Sequence, residues 1–154
     1  MAENTERTLV LLKPDALQRG LVGEIIGRLE ARGLLIVAMK LVHMDQVMAS
    51  RHYEAHVERP FFRGLVDFIT SAPLAALVLQ GTHAVDMVRS TMGSTDPLEA
   101  APGTVRGDLA TDIGRNLIHG SDSVESAQRE IALFFEPDDI VDYSRAVDPW
   151  IIEQ

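Results

Sequence analysis

The feature that most limits the fold is a regular interleaving of short strand-like runs with stretches of helical period. "RTLVLL" (7–12) is a compact apolar run ended by the turn former Lys13-Pro14-Asp15. From Leu21 onward Val22, Ile25, Ile26 and Leu29 recur at helical spacing until Gly33 stops the pattern. "LLIVAMKLVHM" (34–44) is β-branched and apolar, a buried strand. Asp45 stands where it can cap a helix running through Tyr53 and His56 to Pro60, and "FFRGLVDFITS" (61–71) is a further helix ending before Pro73. "LAALVLQG" (74–81) reads as a third strand and "AVDMVRSTM" (84–92) as a helix stopped by Gly93. Residues 93–115 show no clear period and are rich in glycine and proline, which predicts a long loop of the kind that usually carries function. "NLIH" (116–119) follows as a short strand. The next helix is expected to have Asp122 as its N-cap with Glu125 three residues on, and an apolar face of Val124, Ala127, Ile131, Phe134 and Phe135.

Strands and helices alternating in this way predict an α+β chain, a ferredoxin-like (split βαβ) sandwich in which a four-stranded antiparallel sheet is covered by helices. A doubly wound dinucleotide-binding sheet would need a glycine fingerprint after the first strand, and "KPDALQRG" supplies none. With 154 residues the expectation is one domain over 1–154, with 93–115 as its long loop and 136–154 as an acidic, irregular tail carrying Trp150, Ile151 and Ile152. No run reaches the roughly 18 apolar residues of a membrane span, and "MAENTERT" has the character of neither a signal nor a transit peptide. The chain has no cysteine, which fits a reducing cytosol, so a cytoplasmic location is expected. The net charge of −9 argues against binding nucleic acid or anionic lipid. It also means that any phosphate site must be a local basic pocket on an acidic body.

The chemistry-bearing residues gather around "NLIHGSDS" (116–123). Neutral imidazole is a competent nucleophile near pH 7, and phosphohistidine keeps a high transfer potential, so His119 suits reversible phosphoryl relay. Gly120 leaves room beside it, Ser121 offers a hydroxyl, and the helix that follows points free N–H groups at the same neighbourhood. Glu130, two turns into that helix, can reach back to orient the ring. The same pattern equally suits a strand-end histidine that is merely hydrogen-bonded. Lys13, Arg89, Arg106 and Arg115, with the hydroxyls of "MGSTDP" and "PGTVRGD", offer a phosphate clamp if they converge, although each arginine alone also fits a salt-bridged surface residue. There is no Walker A motif. His52 and His56 share the i, i+4 spacing of a metal pair but lack the zinc-protease glutamate and an evident third ligand, so no protein metal ligand is expected. Phe61 serves either as core or as a stacking platform.

"NLIHGSDS" together with "KPDALQRG", "HYEAHVERPFF", "MGSTDP" and "APGTVRGD" resembles the nucleoside diphosphate kinases over nearly the whole chain. The resemblance implies ping-pong transfer of the γ-phosphoryl of a nucleoside triphosphate, typically ATP, to a nucleoside diphosphate. His119 would be the nucleophile, forming a pros-phosphohistidine, and Tyr53, Ser121 and Glu130 match positions around it. Lys13, Arg89, Thr95 and Arg106 match phosphate-binding positions, with Lys13 also near the sugar. Asn116 matches the residue on the ribose hydroxyl, Phe61 the one stacked on the base, and Leu65 would back the base. Mg²⁺ would be held mainly by the nucleotide phosphates, and base specificity would be broad. The tail "DPWIIEQ" resembles those of hexameric members, so a homo-hexamer is preferred to a tetramer. No motif residue is missing. That counts against a non-catalytic scaffold of this fold, and the base slot counts against a phosphocarrier fed by another protein.

Overall fold

The computed structural model describes residues 4–153. Its sheet has four strands, β1 (Thr5–Leu12), β2 (Leu35–Val42), β3 (Leu74–Thr82) and β4 (Ile118–Gly120), in the order β2-β3-β1-β4 with every pairing antiparallel. The helices are α1 (Pro14–Gln18), α2 (Val22–Ala31), α3 (Gln46–His52), α4 (Phe62–Ile69), α5 (Ala84–Met92), α6 (Val105–Leu109) and α7 (Val124–Phe134). This is the expected ferredoxin-like α+β sandwich.

The continuous apolar run of β1 has a simple cause: the strand is central and covered on both faces, with Leu9, Val10, Leu11 and Leu12 all fully buried. Alternation divides them. Val10 and Leu12 join Ile25 and Leu29 of α2 and Val88 and Met92 of α5, whereas Leu9 and Leu11 join Ala49 of α3, Val66 and Ile69 of α4 and Phe134 of α7.

Four local expectations are corrected. Lys13-Pro14-Asp15 is more than a turn, because Pro14 starts the short helix α1, where its missing N–H costs nothing. The stretch 93–115 holds the helix α6, capped by the Thr104 hydroxyl accepting from Gly107 N at 3.0 Å. The cap of α7 is Ser123, whose hydroxyl accepts from Ser126 N at 3.0 Å, so Asp122 and Glu125 each lie one residue out of the cap register. The helix capped by Asp45 also ends at His52, with a separate 3₁₀ turn at Glu54–His56.

Strand β4 is three residues long and lies on one edge, with His119 opposite Leu11. Its close approach to α5 needs a glycine: a Cβ on Gly120 would lie 2.6 Å from Met92 Sδ and 2.9 Å from Val88 Cγ1. At the same end of α5, the C-cap Gly93 adopts φ +85°, and a Cβ there would meet Thr104 Oγ1 at 2.4 Å. The tail crosses toward β2, where Val141 N donates to Val37 O at 2.9 Å and the Tyr143 hydroxyl to Ile36 O at 2.6 Å.

Candidate active site

A cavity of about 400 Å³ opens beside β4 and collects side chains from α3, α5, α6, α7 and the loops between elements. Of the residues singled out in the sequence, Lys13, Tyr53, Arg89, Thr95, Arg106, Asn116, His119 and Glu130 line it. These residues are spread over more than a hundred positions of sequence, and the fold makes them converge.

His119 is the middle residue of β4 and is partly open to the cavity. Its Nε2 lies 2.5 Å from Glu130 Oε1, and Glu130 is itself buried on α7. A carboxylate held on Nε2 favours the tautomer in which Nε2 carries the proton and Nδ1 keeps its lone pair. The backbone that delivers His119 is strained. Leu117 has φ +75°, an unusual value for a bulky residue, and is pinned by its N–H to the buried Asp15 Oδ2 at 3.0 Å and by its carbonyl to Lys13 N at 2.9 Å.

The cationic wall is built just as firmly. Arg106 is 5% exposed, and its guanidinium donates to three carbonyls, those of Gly93, Asn116 and Ile118. Burial lowers its pKa to about 10, with the neighbouring Arg89 adding to the effect. Arg89 is exposed and donates to Gly120 O at 3.2 Å. Lys13 Nζ donates to Asn116 Oδ1 at 2.7 Å, and Asn116 Nδ2 donates to Thr95 O at 3.0 Å, so the amide ties the lysine to the long loop. Burial and the charge of Arg106 push Lys13 down to about 8. Burial holds the Tyr53 phenol up at about 12, so it stays protonated. The required basic pocket on an acidic body is therefore present.

Four expected residues stand apart from the cavity lining. Arg115 does not join the phosphate clamp: its guanidinium lies 4.0 Å over the Phe68 ring and donates to Gly114 O at 2.7 Å. Ser121 is fully buried and bonds β1, its hydroxyl accepting from Leu9 N at 3.3 Å, so it anchors the end of β4. Phe61 is 52% exposed, its ring 5.6 Å from that of His56, which does line the cavity. Leu65 sits half-buried on α4. Conversely, sequence reasoning passed over Arg129, which lines the cavity from α7, and treated His52 only as half of a metal pair. Because α3 ends at His52, the pair separates into a buried His52 and an exposed His56. His52 instead joins His119 and Glu130, with one ligand-type atom of each within 4.8 Å of the others. Lys13, Arg89, Arg106 and Arg129 on the same cavity disfavour a cation there.

A pocket that presents a nucleophilic imidazole to a wall of arginine and lysine is built for phosphoryl chemistry, and comparison with known proteins agrees. A family model described as nucleoside diphosphate kinase matches residues 6–140. The chain belongs to the nucleoside diphosphate kinase family. A nucleoside diphosphate kinase of Archaeoglobus fulgidus is 56% identical over 97% of this chain and 99% of its own length. Another from Natronomonas pharaonis is 54% identical over 97% and 99%. Among solved structures, a halophilic nucleoside diphosphate kinase of Halobacterium salinarum in complex with CDP superposes with a TM-score of 0.94 at 51% identity, covering 96% of this chain and 99% of that one. A nucleoside diphosphate kinase family protein of Babesia bovis gives 0.93 at 41% identity, over 96% and 99%. As a member of the family the chain is an enzyme, a nucleotide-binding phosphotransferase. Among the described residues no helix is long and apolar enough to cross a membrane.

Proposed function

We propose that the protein carries the γ-phosphoryl group from a nucleoside triphosphate, typically ATP, to a nucleoside diphosphate in two half-reactions through a phosphohistidine on His119, and so maintains the NTP and dNTP pools of the cytoplasm. The carrying observation is that Glu130 occupies Nε2 of His119 at 2.5 Å while the ring borders a cavity lined with cations. The free Nδ1 lone pair attacks the γ-phosphorus, the bond to the β–γ bridging oxygen breaks, and the diphosphate leaves with that electron pair. The second half-reaction reverses these events with another diphosphate. Phosphoryl transfer needs alignment and charge stabilisation above all. Arg89, Arg106, Lys13 and Thr95 would hold the phosphates, Lys13 and Asn116 the sugar, and Phe61 and Leu65 the base. Tyr53 would support the histidine from the cavity side, and Ser121 would do so by anchoring its strand.

Mg²⁺ fits this cavity as a companion of the nucleotide. Among the described residues only two carboxylates line it, Asp122 and Glu130, and Glu130 is engaged by His119. Mg²⁺ demands hard oxygen ligands, which the phosphates would mostly supply. Its chemistry there would be to neutralise charge on the β- and γ-oxygens. A base held by stacking, with few edge contacts, leads to broad base specificity. The exposed Trp150 and Ile151 of the tail support assembly into a homo-oligomer, and the tail's resemblance to those of hexameric members favours a hexamer over a tetramer. Neither nucleic acid nor membrane is expected as a partner of so acidic a chain.

The test is the intact mass after brief incubation with ATP and Mg²⁺, followed by a GDP chase, beside His119→Ala. The expected result is one acid-labile phosphoryl group that is removed as GTP forms and is absent from the variant. A wild type that binds nucleotide but gains no phosphoryl group and forms no GTP overturns the proposal.

A further inference from the structure

His52 takes no part in the proposed transfer itself, yet its ring packs directly on the nucleophile. The centroids of His52 and His119 are 4.8 Å apart with the planes at 84°, an edge-to-face contact. His52 is itself immobilised. It is 7% exposed, ends α3, and lies against Tyr53 at 4.7 Å and Phe134 at 5.9 Å. Its Nδ1 is buried and makes no hydrogen bond to any described residue, so what this side chain offers its neighbours is a flat ring. Burial, with the charge of neighbours such as Lys13, drives it down to about 3, which keeps it neutral and out of competition with His119 for Glu130.

A single hydrogen bond fixes one point of an imidazole, not its plane. Held only by Glu130 at Nε2, the His119 ring could still pivot, and whenever that bond opened it could turn over about Cβ–Cγ and present Nε2 instead. A rigid ring packed across it removes the remaining freedom, because a side chain locked by packing holds a reacting atom where a merely tethered one does not. We propose that His52 is a positioning residue whose ring, together with Glu130, fixes the plane of His119 so that the phosphoryl group enters at Nδ1 and not at Nε2. This rests on the phosphohistidine reading above.

The test compares wild type, His52→Leu, which fills the space without a flat ring, and His52→Phe, which restores one without nitrogens. Each is phosphorylated by ATP and Mg²⁺, checked by thermal melting, and examined by ³¹P NMR, which separates Nδ1- from Nε2-phosphohistidine. The wild type is expected to carry Nδ1-phosphohistidine alone. His52→Leu should show a clear Nε2 fraction and a kcat roughly ten- to a hundredfold lower, with KM for the nucleotide within about twofold. His52→Phe should recover both the Nδ1 signal and most of kcat. His52→Gln gives the same comparison if the leucine variant does not fold. A wild type that takes no phosphoryl group from ATP removes the phosphohistidine reading and this inference with it. A wild type labelled at Nδ1 beside a His52→Leu protein of identical regiochemistry and rate overturns the role of His52 alone, as does a folded His52→Phe no better than the leucine variant.

Discussion

The two ends of the cavity are built differently. At the end proposed to hold the phosphates, Glu130, Arg106 and Asn116 are buried, and each is tied to neighbours by named hydrogen bonds. At the other end, Glu54 to Phe61 are all exposed, and Phe61 touches His56 through ring contact alone. Order costs conformational entropy and pays back only where geometry governs rate. Phosphoryl transfer is sensitive to fractions of an ångström, whereas stacking on a base tolerates sliding. The molecule spends its rigidity accordingly, which would let one site serve nucleotides of different bases.

The largest break in this contrast should come from Glu130→Gln. The side chain keeps its shape, but the charge that favours a proton on Nε2 is gone, and the amide can present its NH₂ instead. We expect kcat to fall roughly 10²- to 10⁴-fold while the nucleotide KM and the melting temperature hardly move. Steady-state kinetics with ATP and a diphosphate acceptor measure this. A kcat within threefold of wild type would mean that the ordered end does not govern the chemistry.

Phe61→Ala probes the loose end, and its effect should be smaller and of another kind. Loss of one stacking platform is worth about 1–3 kcal/mol, so KM should rise roughly tenfold or more for every nucleotide, with kcat less affected. Purine and pyrimidine substrates should suffer to within about threefold of each other. A loss confined to one base would instead reveal edge recognition, and the contrast between the two ends would need redrawing.

The same contrast separates what the sequence made legible from what it did not. β1 was readable because a strand buried on both faces needs an unbroken apolar run, and α5 because its period ends at Gly93. α1 and α6 were not, since five residues are too few to show a period and both start among turn-forming residues. His119 and its cationic partners were named from the octapeptide and its companion motifs. Gly120 was read as room for an anion, yet the contacts it avoids are Met92 and Val88 of α5. His52 was beyond reach: it lies 67 positions before His119, and only tertiary packing brings the ring that ends α3 onto the ring carried by β4. Local chemistry is legible in a motif, whereas the ring that steadies it is a product of tertiary packing.

The smallest effect sharpens the comparison most, because it acts through charge and ignores the base. Lys13 sits at the ordered end, where burial and Arg106 hold its pKa down to about 8. The cationic form binds phosphate, so raising the pH through 8 should discharge it and weaken capture of any nucleotide. Since kcat/KM reports the free enzyme, it should decline roughly three- to tenfold between pH 7.5 and 9. Bound phosphate favours the charged lysine and lifts its pKa, so kcat at saturation should stay level over the same interval. Lys13→Arg keeps its charge throughout and should flatten the kcat/KM profile, although its fork cannot reproduce the 2.7 Å contact with Asn116 unchanged. The decline should be the same for adenine, guanine and cytosine nucleotides, and Phe61→Ala should leave its midpoint in place. A wild-type profile that remains flat to pH 9 would show that Lys13 keeps its proton despite its burial, and the phosphate end would then owe its affinity to the arginines alone.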